Sequence, residues 1–220
     1  MREAKVNTTW AKQDPAYEDA VKSFVSAILA DSAFTQMLEE FQQRIIPLAE
    51  ASSLASTLLR MTSPGVPDIY QGCELWNLSL VDPDNRRPVD FSLTASLLEE
   101  LNGIPVEAIL QRMKEGLPKL YLMAKSLKLR RRRAQNFNAA EYVPLRVAGP
   151  EQDHIVAYLR GAEVAVVVRT GLPTQGDATK VELPEGDWQN CFTGEITSGG
   201  LQSLELLFEK FPVALLEKQS

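Results

Sequence analysis

Between Tyr70 and Asp90 the sequence gathers an unusual density of groups that could handle a polar ligand. They are Tyr70, Gln71, Glu74, Trp76, Asp82, Asp84, Asn85, Arg86, Arg87 and Asp90. Carboxylates in such a cluster could act as acid, base or nucleophile, and Arg86 and Arg87 could hold them in place by bidentate pairing. The competing local reading is conformational: Asp82-Pro83-Asp84-Asn85 is also a turn, with short polar side chains bonding nearby backbone. Other chemistries find less support. A single histidine, His154, is followed by Ile155, so any Ser-His-Asp or Cys-His site would depend on it alone. Cys73 and Cys191 are far apart and form no metal-ligand spacing, so neither a disulfide framework nor a zinc site is expected.

The chain that must position these groups has 220 residues, enough for one large domain or two small ones. Its 45% hydrophobic and 24% charged content is that of a globular protein. A net charge of -6 argues against a broad nucleic-acid surface. The tract Arg130-Arg131-Arg132-Arg133 reads instead as cations favoured at a helix C-terminus. No apolar run approaches the roughly 20 residues that span a bilayer, and Met1-Arg2-Glu3-Ala4-Lys5 does not read as a secretory signal. Two free thiols fit a reducing, cytoplasmic setting.

Up to about Arg133 the apolar residues recur at helical spacing. Asp14-Pro15 supplies an N-cap and a proline at the first helical position. Tyr17, Val21, Phe24, Val25 and Ile28 then trace a helix, Phe34, Met37, Leu38, Phe41 and Ile45 a second that stops at Pro47, and Leu48 to Leu59 a third. Further helices are expected over 92–101, 105–114 and 118–133, separated by Gly103 and Gly116. Val66–Tyr70 reads as a short strand within this helical half. Beyond about Gln135 the period becomes two. Segments 154–160 and 163–169 read as a hairpin around Gly161, with further strands over 179–183, 187–192, 204–208 and 211–216. The expected architecture is α+β: residues 1–134 a helical region, residues 135–220 an all-β antiparallel sandwich.

The segment Gly65-Val66-Pro67-Asp68-Ile69-Tyr70-Gln71-Gly72-Cys73-Glu74 resembles the eighth-strand motif of the α-amylase superfamily, Gly-x-Pro-x-x-Tyr-x-Gly-x-Glu. The stretch from Leu80 to Phe91 resembles the corresponding loop of the maltooligosyl trehalose synthases. So do the opening from Arg2 to Glu18, the helix 119–133, Tyr142-Val143-Pro144-Leu145 and Phe211–Leu216. The resemblance implies that residues 1–134 carry the last strand and helices of an incomplete (β/α)8 barrel. It also implies an enzyme that converts the reducing-end α-1,4 linkage of a maltooligosaccharide into an α,α-1,1 linkage, with no metal or organic cofactor.

In that family the nucleophile, the acid/base and a third acidic residue follow earlier barrel strands, the third in a His-Asp pair that this sequence lacks. The resemblance therefore implies that the catalytic carboxylates are absent and that Tyr70, Gln71, Glu74, Trp76, Asp82, Asp84, Asn85, Arg86, Arg87 and Asp90 belong to a substrate-binding wall. Tyr70 and Trp76 could each face a sugar or anchor the core, whereas Trp10 and Trp188 read as packing residues. The implied partner is a maltooligosaccharide or other α-glucan, met through the full-length enzyme, with no nucleic acid and no membrane. A lone barrel strand would expose unpaired backbone and a barrel-facing surface, which invites self-association.

Overall fold

The computed structural model describes residues 1–79, 87–171 and 178–219. It divides into two compact units, Met1–Pro47 and Leu48–Ser220.

In the first unit, helix α1 (Pro15–Ala30) begins where expected: the Asp14 carboxylate accepts from the Tyr17 amide at 3.0 Å, and Pro15 occupies the first turn. In its first turn, Glu18 is buried and accepts from Arg2 (2.8 and 2.7 Å) and from the Thr8 hydroxyl (2.7 Å), both ahead of the helix. Asp31 opens helix α2 (Ser32–Thr62) by accepting from the amides of Ala33 and Phe34. The expected break at Pro47 does not occur, and α2 continues through it. Proline removes one backbone donor and crowds the preceding turn, but good helix formers on both sides leave the chain no cheaper local alternative. Phe24 and Phe41 are 66% and 55% exposed, and Val25, Leu29, Met37 and Ile45 are exposed with them.

In the second unit, Leu54, Ala55, Leu58 and Met61 form the buried stripe of the end of α2, at the i, i+4, i+7 spacing of one helix face. Helices α3 (Phe91–Glu100), α4 (Val106–Gln111), α5 (Leu117–Arg132) and α6 (Ala134–Asn138) follow. Helix α5 is the hub: Leu117, Leu120, Tyr121, Leu122, Met123 and Leu129 are all buried. The strands β1 (Tyr142–Pro144), β2 (Val147–Ala148), β3 (Ile155–Arg160), β4 (Val164–Arg169), β5 (Lys180–Asn190), β6 (Ile196–Ser203) and β7 (Val213–Lys218) make one antiparallel sheet, with α7 (Leu204–Leu207) between the last two. The order is β1-β3-β4-β7-β5-β2, with β6 also on β5. The β3–β4 hairpin turns at Gly161 and pairs Arg160 with Val164, as its spacing implied.

Further expectations are corrected in this unit. First, the strands form a single sheet, not a two-sheet sandwich. The two short strands read at 179–183 and 187–192 are one long β5, irregular between Leu183 and Asp187. Its first half pairs with β2 and its second half with β7, which lets one sheet enclose a core by itself. Second, 204–208 begins with helix, because Leu204 and Leu207 are buried while Glu205 and Leu206 point outward, a three-residue repeat. Third, Ile196–Ser203 is a strand that the apolar pattern did not reveal, since its Gly199 and Gly200 leave little to read. Fourth, Val66–Tyr70 is irregular backbone. A strand exists only by pairing, Pro67 removes one donor, and no described strand lies beside it.

Strands β4 and β7 are buried on both faces, and alternation sorts them. Val164, Val166, Val168, Val213 and Leu215 share one apolar cluster with α2, α5 and α6. Ala165, Val167, Ala214 and Leu216 join a second cluster with Trp188, Leu183, Leu204 and Leu207. Polar ties cross the helix–sheet seam. Tyr121 donates to the Phe192 carbonyl at 2.6 Å, and Tyr158 and Thr62 share a 2.6 Å hydrogen bond. Three arginines of the tract, Arg130, Arg132 and Arg133, make ties within this unit as well. Arg130 donates to the Met61 carbonyl, Arg132 and Arg133 both bind Glu217, and Arg133 also reaches Glu163.

Candidate functional site

The residues that the sequence singled out follow the C-terminus of α2. The chain leaves the helix after Ser63 donates back to Leu59 and runs without regular structure to Ser79. A tight turn forms where the Cys73 amide donates to the Tyr70 carbonyl at 3.0 Å. Gly72 permits it twice over: its φ is +82°, and an added Cβ would stand 3.1 Å from Val89.

Past this turn Leu75 and Trp76 bend back onto the core cluster. Three features of the α5 region hold them. The Trp76 indole N–H donates to the Met113 carbonyl. Lys119 donates to the Leu75 carbonyl at 3.0 Å and sets its ammonium 5.8 Å from the centre of the Trp76 ring. Gly116 lets the backbone pass, since a Cβ there would come within 2.8 Å of the Trp76 nitrogen. Burial pushes the Lys119 ammonium below its ordinary value, with Arg60 adding to the effect and Cys73 and Glu74 opposing it.

The outer side of this segment and the start of α3 bound a cleft of about 380 Å³. Its walls bring together four residues expected from the sequence: Gln71, Trp76, Arg87 and Asp90. Asn77 and Thr94 also line it and were not singled out. Asn77 directly follows Trp76, so its position was the available signal, whereas Thr94 lies one helical turn past Asp90 and needed the helix register. Asp90 has a structural task as well, because its carboxylate accepts from the Leu93 amide at 2.9 Å and caps α3.

Two expected residues stand apart from that wall. Tyr70 is 49% exposed and does not line the cleft. Glu74 turns the other way, and its Oε2 is buried with no hydrogen-bond partner among the described residues. Asp82, Asp84, Asn85 and Arg86 lie outside the described residues.

The chemistry available to the cleft follows from its lining. Amides, a hydroxyl, a guanidinium and the half-buried indole can bind a polyhydroxylated ligand by hydrogen bonds and by contact with its C–H faces. Asp90 is the single carboxylate among the described lining residues. No group of three or more His, Cys, Asp or Glu that could hold a metal ion occurs among the described residues. Nor is any described helix long and apolar enough to cross a membrane.

No family model matches the chain. Candidate maltooligosyl trehalose synthases of two Mycobacterium tuberculosis strains are 37% identical to it over 224 aligned positions, which take in all of this chain and 27% of theirs. Among solved structures, maltooligosyltrehalose synthase from Arthrobacter ramosus superposes with a TM-score of 0.87 at 33% identity, covering 99% of this chain and 29% of that one. Another maltooligosyl trehalose synthase structure gives 0.83 at 31% identity, with 99% and 28% covered. The chain thus spans about a quarter of the length of the relatives it matches.

Proposed function

Since the chain corresponds along its whole length to a C-terminal portion of the maltooligosyl trehalose synthases, we propose that it supplies part of the glucan-binding wall of such an enzyme and leaves bond exchange to carboxylates outside it. In the whole protein, residues 1–134 would close the barrel and residues 135–220 would form the appended β domain. The setting would be cytoplasmic trehalose biosynthesis, with a maltooligosaccharide as substrate.

The reaction assigned to the whole enzyme is the exchange of a reducing-end α-1,4 linkage for an α,α-1,1 linkage. It is redox-neutral. It needs a nucleophile at the anomeric carbon, an acid that becomes a base, and a pocket that keeps water from intercepting the glycosyl intermediate. In a retaining site the two carboxyl groups stand about 5 Å apart.

One observation supports placing that pair elsewhere. Asp90 is the single carboxylate among the described residues of the cleft wall, and it already caps α3. Gln71, Asn77, Arg87 and Trp76 are then wall residues that orient hydroxyls and shield the ring from water. Incubating this chain with maltopentaose and following reducing ends tests the reading. The expected result is no loss of reducing ends, and conversion to a non-reducing product would overturn it.

A second reading is favoured by the exposed apolar residues of α1 and α2, Phe24, Leu29, Met37, Phe41 and Ile45 among them. On this reading the chain is a barrel-completing module that associates with itself when its partner surface is missing. Light scattering across a concentration series separates the two behaviours: growth in mass with concentration supports association, and a constant monomer mass removes it.

A further inference from the structure

Away from the cleft, a groove of about 530 Å³ runs between α5 and the turn that follows β5, and among the described residues it shares no lining residue with the cleft. Its floor is one face of α5. Tyr121, Lys125, Lys128 and Arg132 recur at intervals of four, three and four, so three cations project in line along the groove. Lys210 adds a fourth from the segment before β7. Glu107 and Glu217 are the carboxylates among the described lining residues, which leaves these an excess of two positive charges in a chain whose net charge is -6.

The four cations are not equivalent. Arg132 is engaged at two points by Glu217, and Lys210 pairs with Glu195 at 2.6 Å. Lys125 is held over the ring of Tyr121, 5.3 Å from its centre, and has no carboxylate partner among the described residues. Lys128, one turn further on, has none either. Two ammonium groups on adjacent turns therefore line the same open volume without an ion-pair partner among the described residues.

The rest of the lining narrows the ligand class. Tyr121 and Phe192 are 7% and 2% exposed, so the groove offers no aromatic platform for a sugar ring. Cys191 does not neutralise the lysines as a thiolate. Burial and then Glu217 push its pKa up to about 12, while Arg132 and Lys125 act in the opposite direction. A groove of this size, positive and without a stacking face, selects by charge.

We propose that this groove binds a small dianionic phosphate, either orthophosphate or a sugar phosphate ester, through the ammonium groups of Lys125 and Lys128. The inference is independent of how the glucan cleft is read.

Titration calorimetry of the whole chain tests it with orthophosphate, glucose 6-phosphate and, as a neutral control, glucose. The expected result is saturable binding of both anions, none of glucose, and affinity that falls as salt is raised. A K125Q/K128Q variant with an unchanged melting curve should bind at least about tenfold more weakly, and K125R/K128R should bind within roughly threefold of the parent. If K125Q/K128Q does not fold, the exposed Lys128→Gln change alone carries the same expectation of weaker binding. A sugar phosphate that binds about tenfold tighter than orthophosphate identifies the ester as the ligand, and equal affinities identify the free anion. Either supports the site. Absence of saturable binding by both anions up to about 10 mM, or full binding by the glutamine variants, overturns it.

Discussion

Thr62 and Tyr158 lie 96 residues apart and meet inside the second unit. Thr62 is the last residue of α2, just ahead of the segment that forms the cleft, and Tyr158 sits in the middle of β3. Both are buried, at 0% and 1% exposure. The Thr62 hydroxyl donates to the Leu58 carbonyl at 2.6 Å, which spends its only proton. Tyr158 must therefore be the donor in the 2.6 Å contact between the two hydroxyls. Burial pushes the Tyr158 phenol above its ordinary pKa, with the Thr62 and Ser63 hydroxyls pulling the other way, as expected for a hydroxyl held away from water.

Tyr158→Phe removes the donor and should cost about 1 kcal/mol, the net worth of one hydrogen bond. Thr62→Val keeps the shape and takes the nearer acceptor from a buried phenol, which raises the cost to roughly 2 kcal/mol. In the double variant both polar groups are gone, so the costs should not add, and the coupling should be about 1 kcal/mol. Urea unfolding followed by near-ultraviolet circular dichroism measures each value. Strict additivity, with coupling below about 0.3 kcal/mol, would show that the end of α2 and the sheet do not depend on one another. The shared core described above would then be wrong as an energetic statement.

Three further outcomes follow from single residues. Glu18 is held down to about 2 by its hydrogen bonds from Arg2 and then Thr8, against an ordinary value of 4.5. A depressed carboxylate stabilises the folded state above its unfolded pKa and loses that contribution as pH falls through the folded one, so amide protection at the start of α1 should drop between about pH 4.5 and 2. Glu18→Gln should flatten that dependence when hydrogen exchange is followed across the window. Cys191, pushed up to about 12 chiefly by burial, should alkylate slowly at pH 8, with its rate still climbing at pH 10; mass spectrometry of iodoacetamide adducts reads this, and fast labelling at pH 8 contradicts it. Gly116→Ala must place a Cβ at φ +80° and 2.8 Å from the Trp76 nitrogen. It should cost about 2 kcal/mol and shift Trp76 fluorescence, with thermal melts as the check.

The sequence displayed what local chemistry fixes. Asp14-Pro15 is a helix start because a carboxylate cap and a preset φ need nothing from elsewhere in the chain, and the structure has it. The β3–β4 hairpin was readable from its valines and Gly161, because a run buried on both faces needs no alternation to stand out. Errors arose where an element depends on a partner. Leu204-Glu205-Leu206-Leu207 fits a period of two or of three, and only the two buried leucines decide it. Pro184-Glu185-Gly186 reads as a break between strands, yet neighbours on both sides keep β5 continuous across it. Val66–Tyr70 has the composition of a strand and no described ladder to join. Within the candidate site, the gathering of Gln71, Trp76, Arg87 and Asp90 followed from their nearness in sequence. The turn of Glu74 away from the cleft did not, nor did Met113 as the partner of Trp76, 37 residues away.

That last contact points to a division of labour within the second unit. The segment that forms the cleft has no secondary structure of its own, so its shape must be imposed from behind. Gly116, Met113 and Lys119 impose it at the start of α5. Helix α5 is fixed in turn at Tyr121, which donates into the turn after β5, and at Arg132, which binds Glu217 in β7. Burial pushes the Glu217 carboxyl upward, but the hydrogen bonds from Arg132 and Arg133 outweigh it and set it below its ordinary range. The carboxylate therefore stays charged and the clamp closed at neutral pH. Among the described residues the sheet contributes none to the cleft wall, and its influence there is positional, carried through one helix. A substitution at Glu217 should accordingly alter ligand affinity at the cleft through the placement of α5, and with it Trp76, without touching the ligand.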